Sequence, residues 1–244
     1  VILEALRKKN FYVYMNDEFG KEIKNKVLDY GLDETTKEIK TPIKAKSFYH
    51  GLWQNRILLD DLLKICQLFG LENVYDRIDS IVYRTGKQRG HNSLSIKLPQ
   101  NFEKFFYLAG LFAGDGTSTR FIVGKEELRK VFIEICKELK CNTTEKNDKD
   151  RTPAIATNKT LLEILNSLFD YPKRQKSHNI KVSELVWRSP KEYVAQYIKG
   201  YFDTDGTVEK SRSAVSISSV SPQMIKDLGL LLLRFGIVPI IQGD

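Results

Sequence analysis

The 244-residue chain has little of what stapled or metal-knotted folds require. Its cysteines, Cys66, Cys136 and Cys141, are odd in number and lack the short paired spacing of a zinc site, so they read as reduced thiols of an intracellular, cytoplasmic protein. The three histidines, His50, His91 and His178, lie too far apart in sequence to suggest a metal centre. Long apolar runs are missing as well: the longest, Leu230–Leu233, is a piece of a core helix, which excludes a membrane-spanning helix. No signal peptide opens the chain. Acidic residues are absent from Ser80 to Phe102 and again from Tyr171 to Ser183. The first gap holds Arg84, Lys87, Arg89 and Lys97, and the second Lys173, Arg174, Lys176 and Lys181. With a net charge of +8, such clusters suit a polyanionic partner through phosphate contacts.

What the chain does contain is a repeat. Tyr107–Gly116 reads YLAGLFAGDG and Tyr197–Gly206 reads YIKGYFDTDG, each followed by Thr (Thr117, Thr207). Each copy predicts a short apolar helix with small residues along one face and Asp-Gly at its end. Glycine inside a helix costs about 1 kcal/mol relative to alanine, so Gly110, Gly114 and Gly200, with Thr204, imply close approach of two backbones. Packed about a pseudo-twofold axis, the two helices would bring Asp115 and Asp205 together at their C-terminal ends. Negative side chains are unfavourable there, which marks the pair as a candidate cation site. Gly116 and Gly206 are expected to stop the helices in a left-handed turn.

These segments, LAGLFAGDG at 108–116 and IKGYFDTDG at 198–206, resemble the doubled motif of the LAGLIDADG homing endonucleases. The runs IKLPQNFEKFFYLAGLFAGDG (96–116) and SPKEYVAQYIKGYFDTDGTVEK (189–210) resemble the endonuclease domains carried within archaeal-type inteins. The resemblance implies an α+β fold of two pseudo-symmetric αββαββα-type halves packed through the motif helices, in a monomer of archaeal or bacterial source. It implies a saddle of β-sheet on a long, specific double-stranded DNA site, and hydrolysis of both strands with Mg²⁺ or Mn²⁺. By matching position, the metal-binding carboxylates are Asp115 and Asp205, with backbone carbonyls near Gly114 and Thr204. Lys125 is a candidate for stabilising transition-state charge. Two alternatives keep the fold: a catalytically inactive DNA-binding protein and an RNA maturase.

The expected organisation is a small, mainly helical and hairpin module at 1–94, a first half at 95–170, a basic linker at 171–188 and an incomplete second half at 189–244. The module is expected to open in a helix (VILEALRKKN) and to continue with helices over Lys21–Tyr30, Glu34–Lys46 and Leu58–Phe69 and strands over Val74–Tyr83 and Ser93–Leu98. The segment 47–71 faintly resembles the last two helices of a helix-turn-helix unit, which would lay one helix in the major groove; the alternative is a helical spacer of the surrounding intein, with Phe48, Tyr49 and Trp53 as its core. Ser189, Pro190 and Glu192 are expected to open the second motif helix as N-cap, first and third residues. A hairpin follows it, whereas only eight residues (TSTRFIVG) separate Gly116 from Lys125 in the first half. Helix Pro222–Phe235 and strand Ile237–Gln242 close the sequence, and both termini read as cuts through a longer protein.

Overall fold

The structure is a computed structural model, and it describes residues 2–84, 94–117, 119–146, 152–172, 174–209 and 213–242. It divides into two compact units, Val1–Leu98 and Pro99–Asp244.

In the first unit, α1 (Ile2–Leu6) leads into β1 (Phe11–Met15), then α2 (Asp17–Tyr30), α3 (Leu32–Glu38), α4 (Ala45–Trp53), β2 (Arg56–Leu58), α5 (Leu59–Phe69), a 3₁₀ turn (Val74–Arg77) and β3 (Ile78–Tyr83). The strands form an antiparallel sheet in the order β2-β1-β3. β1 alternates buried Phe11, Val13 and Met15 with half-buried tyrosines, a two-residue period that the sequence reading passed over. Helix α2 starts at Asp17, earlier than expected, because Asn16 caps it and accepts a hydrogen bond from Phe19 N at 2.8 Å. The helix expected over Glu34–Lys46 is two helices. Lys40 adopts φ 50° and Pro42 disfavours helical geometry at Thr41, so the chain breaks and restarts at Ala45. Of the strand expected at Val74, the first four residues form the 3₁₀ turn instead. Ile96 pairs with Ile81 as an isolated bridge, and Ser93 lies outside the described residues. Phe48 is buried, but Tyr49 and Trp53 are exposed and do not belong to the core.

The second unit runs α6 (Phe102–Asp115), β4 (Arg120–Ile122), α7 (Glu126–Glu138), β5 (Thr143–Lys146), β6 (Ala154–Thr157), α8 (Lys159–Phe169), α9 (Lys176–Asn179), α10 (Glu184–Arg188), α11 (Lys191–Asp205), β7 (Gly206–Glu209), β8 (Ala214–Ile217) and α12 (Pro222–Leu233). This is an α+β arrangement with a β4-β6-β5 antiparallel sheet and a β7-β8 hairpin. Asn101, Asn158 and Ser221 cap α6, α8 and α12. The stretch 171–188, read as a linker, carries α9 and α10 and buries Tyr171, Ile180, Val182 and Val186. Ser189 does not cap α11: its hydroxyl donates to the Leu185 carbonyl at 2.6 Å, and Pro190 precedes the helix without a side-chain cap. Residues 237–242 form no strand, and Val238 and Ile240 are 82% and 89% exposed. Among the described residues, no helix is long and apolar enough to cross a membrane.

The centre of this unit is the α6–α11 pair. Nine consecutive residues of α6, Phe105–Ala113, are buried, and α11 buries Val194, Tyr197, Ile198, Gly200 and Tyr201. Phe169 stacks on Tyr197 with ring centroids 6.1 Å apart, and Tyr171 donates its hydroxyl to Ala109 O at 2.6 Å. Aromatic mass and one satisfied buried hydroxyl thus hold α8 and the following loop against the helix pair.

Candidate active site

The two motif helices approach so closely that only glycine fits at the seam. A Cβ on Gly110 would lie 2.1 Å from the Tyr197 carbonyl oxygen and 3.0 Å from Gly200 Cα. One on Gly200 would lie 2.3 Å from the Tyr107 carbonyl oxygen. At Gly114 it would strike Thr204 Oγ1 at 2.0 Å and lie 3.3 Å from an Asp205 carboxylate oxygen. Backbone atoms bound the first two positions and cannot rotate away. Gly110, Gly114, Gly200 and Thr204 therefore meet, and this contact carries Asp115 and Asp205 to the same end of the pair.

The glycines after the aspartates are not left-handed. Gly116 has φ −79°, ψ 144° and Gly206 has φ −83°, ψ 151°, so each helix runs directly into extended backbone. What excludes a side chain is space: a Cβ would lie 2.3 Å from Phe112 O at Gly116 and 2.4 Å from Phe202 O at Gly206. Extended chain from Gly206 forms β7, which pairs with β8 from Gly206↔Ile217 to Glu209↔Ala214. After Gly116 there is only a bridge to Phe121, with Thr117 N donating to Arg120 O at 2.7 Å.

Electrostatics distinguish this end of the helix pair. Asp115 and Asp205 are half-buried, and α6 and α11 both direct the negative ends of their dipoles here. Burial, then the neighbouring Asp205 charge, pushes the Asp115 carboxyl up to about 6; Lys176 and Lys125 partly oppose this. Burial also raises Asp205, against a hydrogen bond from Tyr201 and the two lysine charges. Lys176 is pushed down to about 8 by burial, against the pull of Asp205 and Asp115.

Lys176 is the residue that sequence reasoning assigned elsewhere. Its ammonium donates to the carbonyls of Phe112 at 2.7 Å, Gly114 at 3.2 Å and Gly116 at 2.5 Å. The basic run flagged Lys176, but no local pattern reports contacts some sixty residues distant. Lys125 is exposed and donates to the Asp203 carbonyl on α11 at 2.7 Å. Asp203 also accepts from the Tyr107 hydroxyl at 2.7 Å and from Lys199 at 2.9 Å. Thr204 donates its hydroxyl to Tyr201 O at 2.8 Å.

The other basic candidates are dispersed. Arg84 and Lys97 are exposed residues of the first unit, and Arg84 lies over the Tyr12 ring at 5.4 Å. Arg174 is exposed, whereas Lys181 is paired with Asp170 at 3.7 Å. Lys87, Arg89 and Lys173 lie outside the described residues. No group of three or more His, Cys, Asp or Glu side chains suited to a metal occurs among the described residues. A cation at the motif ends would therefore draw on two carboxylates, backbone carbonyls and water. That all-oxygen donor set fits a hard divalent ion.

The chain is 33% identical to Elongation factor 2 of Methanopyrus kandleri over 239 residues, 97% of this chain and 19% of that protein. It is 33% identical to a probable translation initiation factor IF-2 of Thermococcus kodakarensis over 174 residues, 68% of this chain and 15% of the relative. It is also 33% identical to Replication factor C small subunit of Methanocaldococcus jannaschii over 138 residues, 53% of this chain and 7% of the relative. The chain thus spans about a fifth or less of these archaeal proteins. Residues 192–244, which hold all but the first residue of α11, Asp205 and the hairpin after it, match the model of a LAGLIDADG-like domain.

Proposed function

We propose that the chain is the DNA-cleaving part of an intein-borne homing endonuclease, hydrolysing one phosphodiester in each strand of a long, specific duplex site. The carrying observation is the interlocked glycine seam that brings Asp115 and Asp205 to one end of two helices. The intein reading draws on the relatives: one segment recurs as a small fraction of proteins named for translation and for replication. An element inserted into unrelated hosts has that distribution.

In this reading Asp115 and Asp205, with carbonyl oxygens near Gly114 and Thr204, hold Mg²⁺ or Mn²⁺. Such an ion, when bound, polarises the phosphodiester and makes water a stronger nucleophile. The carboxylates must be ionised to do this, so protons compete with the ion for Asp115, whose carboxyl is held above its ordinary range by burial and the Asp205 charge. Lys176 brings positive charge to the site without being free to leave it, since three carbonyls hold its ammonium. Lys125 and Lys176 oppose the mutual repulsion of the aspartates before DNA arrives.

The complete protein should cut a plasmid bearing the uninterrupted host gene when Mg²⁺ is added. Asp205→Asn and Asp115→Asn should each lower cleavage of both strands by orders of magnitude and leave duplex binding nearly intact, because Asn keeps the shape and removes the repulsion. Cutting by either variant at the parental rate refutes the assignment. A second reading, a binding protein without cleavage, is favoured by one observation. Among the described residues, the first half has only the Gly116↔Phe121 bridge where the second has a hairpin. Binding of that plasmid site with no cutting in Mg²⁺ or Mn²⁺ selects this reading.

A further inference from the structure

We infer that α4 of the first unit is a second double-stranded-DNA contact, lying in the major groove through the face formed by Lys46, Tyr49, His50 and Trp53. Those positions follow the i, i+3, i+4, i+7 spacing of one helical stripe, and all four are exposed. The opposite stripe is fixed: Phe48, Gly51 and Leu52 are buried, and α4 packs against α2, α3 and β2. A Cβ on Gly51 would lie 2.6 Å from the Arg56 carbonyl oxygen, so the helix is seated firmly on the chain that follows it.

Charge identifies the partner. From Ile39 to Leu59 there is no acidic residue, while Lys40, Lys44, Lys46 and Arg56 are present. The three lysines are exposed, and among the described residues the ion pairs of this unit (Arg7 with Glu4 and Asp60, Lys64 with Asp60, Arg77 with Glu22) involve none of them. Their charge is available to phosphates flanking the helix. The same helix carries a pair of exposed aromatics, Tyr49 and Trp53, edge to face with centroids 5.9 Å apart, with the Lys24 ammonium 5.4 Å from the Trp53 ring centroid. Exposed aromatics on a helix free of acids and accompanied by lysines suit base-edge and sugar contact better than a membrane or an apolar protein groove. The size also agrees. An α-helix with its side chains is about 10–12 Å across, and the major groove is about 12 Å wide. This surface does not depend on the Asp115–Asp205 site, so an unaltered salt slope in the variant below would leave the cleavage reading untouched, whereas a parent that binds no duplex at all would count against both.

The test is fluorescence anisotropy of the whole chain with a labelled mixed-sequence duplex several helical turns long, across a salt series. Replacing Lys40, Lys44 and Lys46 together by Ala should reduce the slope of log affinity against log salt by roughly 2.7, at about 0.9 for each phosphate contact. At 0.1 M salt, binding should weaken by roughly a hundredfold. Arginine at the same three positions should restore the slope, and Tyr49→Ala should weaken binding at unchanged slope, since it removes no charge. An unaltered slope in the triple alanine variant overturns the proposal, as does a parent that binds no duplex. A parent that holds poly-glutamate as tightly as duplex also overturns it, in favour of an acidic protein partner.

Discussion

Replacing Gly200 by Ala adds a methyl group where the helix pair has no room for one. The new carbon would lie 2.3 Å from Tyr107 O, 2.8 Å from Leu111 N and 3.1 Å from Gly110 C. All three are backbone atoms of a buried helix, so no rotamer change relieves the clash. Even short C–H···O contacts settle at about 3.3 Å, so α6 and α11 must part by roughly 1 Å. In an exposed helix the same change would stabilise by about 1 kcal/mol through propensity. Core overpacking costs about 1–3 kcal/mol and sometimes more, and parting the helices also loosens the contacts of Gly110 and Gly114. The expected net loss is about 2 kcal/mol, which for a chain of this size lowers Tm by roughly 4–8 °C. Gly110→Ala, with its carbon 2.1 Å from Tyr197 O, should behave alike. The double variant should lose less than the sum, because the first substitution has already opened the shared seam. Gly124→Ala is the control, since its Cβ would meet nothing within 4 Å. Thermal melts followed by circular dichroism measure all four. A Gly200→Ala protein melting with the parent, or above it, would mean that the helices do not interlock there.

Lys176→Gln should abolish most cleavage while leaving the salt dependence of duplex binding unchanged, since that ammonium is held by carbonyls; a lowered slope in anisotropy titrations would return Lys176 to the DNA surface. Asp115 carries a folded-state pKa of about 6 against an ordinary 3.8, so folding favours its protonated form: stability is highest below 3.8 and falls as pH rises toward 6. Asp115→Asn, melted in EDTA, should therefore gain stability at pH 7.5 and gain little at pH 3.5; an equal gain at both would reject the electrostatic account. Tyr107→Phe removes the hydrogen bond to Asp203 and should cost about 1 kcal/mol in denaturant unfolding, with no loss attributable to volume.

Helices α5, α6 and α12 were legible because apolar residues recur at helical spacing between clear stops. Sequence reading failed where the deciding signal is long-range. β1 is a strand because Tyr12, Val13 and Tyr14 find β2 and β3 as neighbours, and FYVYM alone does not announce them. Tyr49 and Trp53 looked like core because they are large; the α4 face that turns inward is chosen by Gly51 against Arg56. Of the candidate site, the aspartates and the glycine seam were readable because the motif is doubled. Lys176 was visible only as one cation in a basic run. Its destination is set by Gln175, which adopts φ 48° and starts α9 beneath the end of α6.

The two copies of the motif share a backbone logic and differ in charge. Where α6 has Ala113, α11 has Asp203, and that single acid gathers Tyr107, Lys199 and, through its carbonyl, Lys125. Where α11 ends in a hairpin, α6 ends in carbonyls that accept from Lys176. Each negative helix end therefore meets one ammonium, supplied by a different part of the chain: Lys125 follows β4, and Lys176 opens α9. Burial holds both Asp115 and Asp205 above the ordinary carboxylate range although the two lysines oppose it. A half-buried carboxylate pair at two negative helix ends, with carbonyl oxygens beside it, is the physical basis of the proposed cation. It also explains why removing either aspartate should relieve the fold while disabling the reaction.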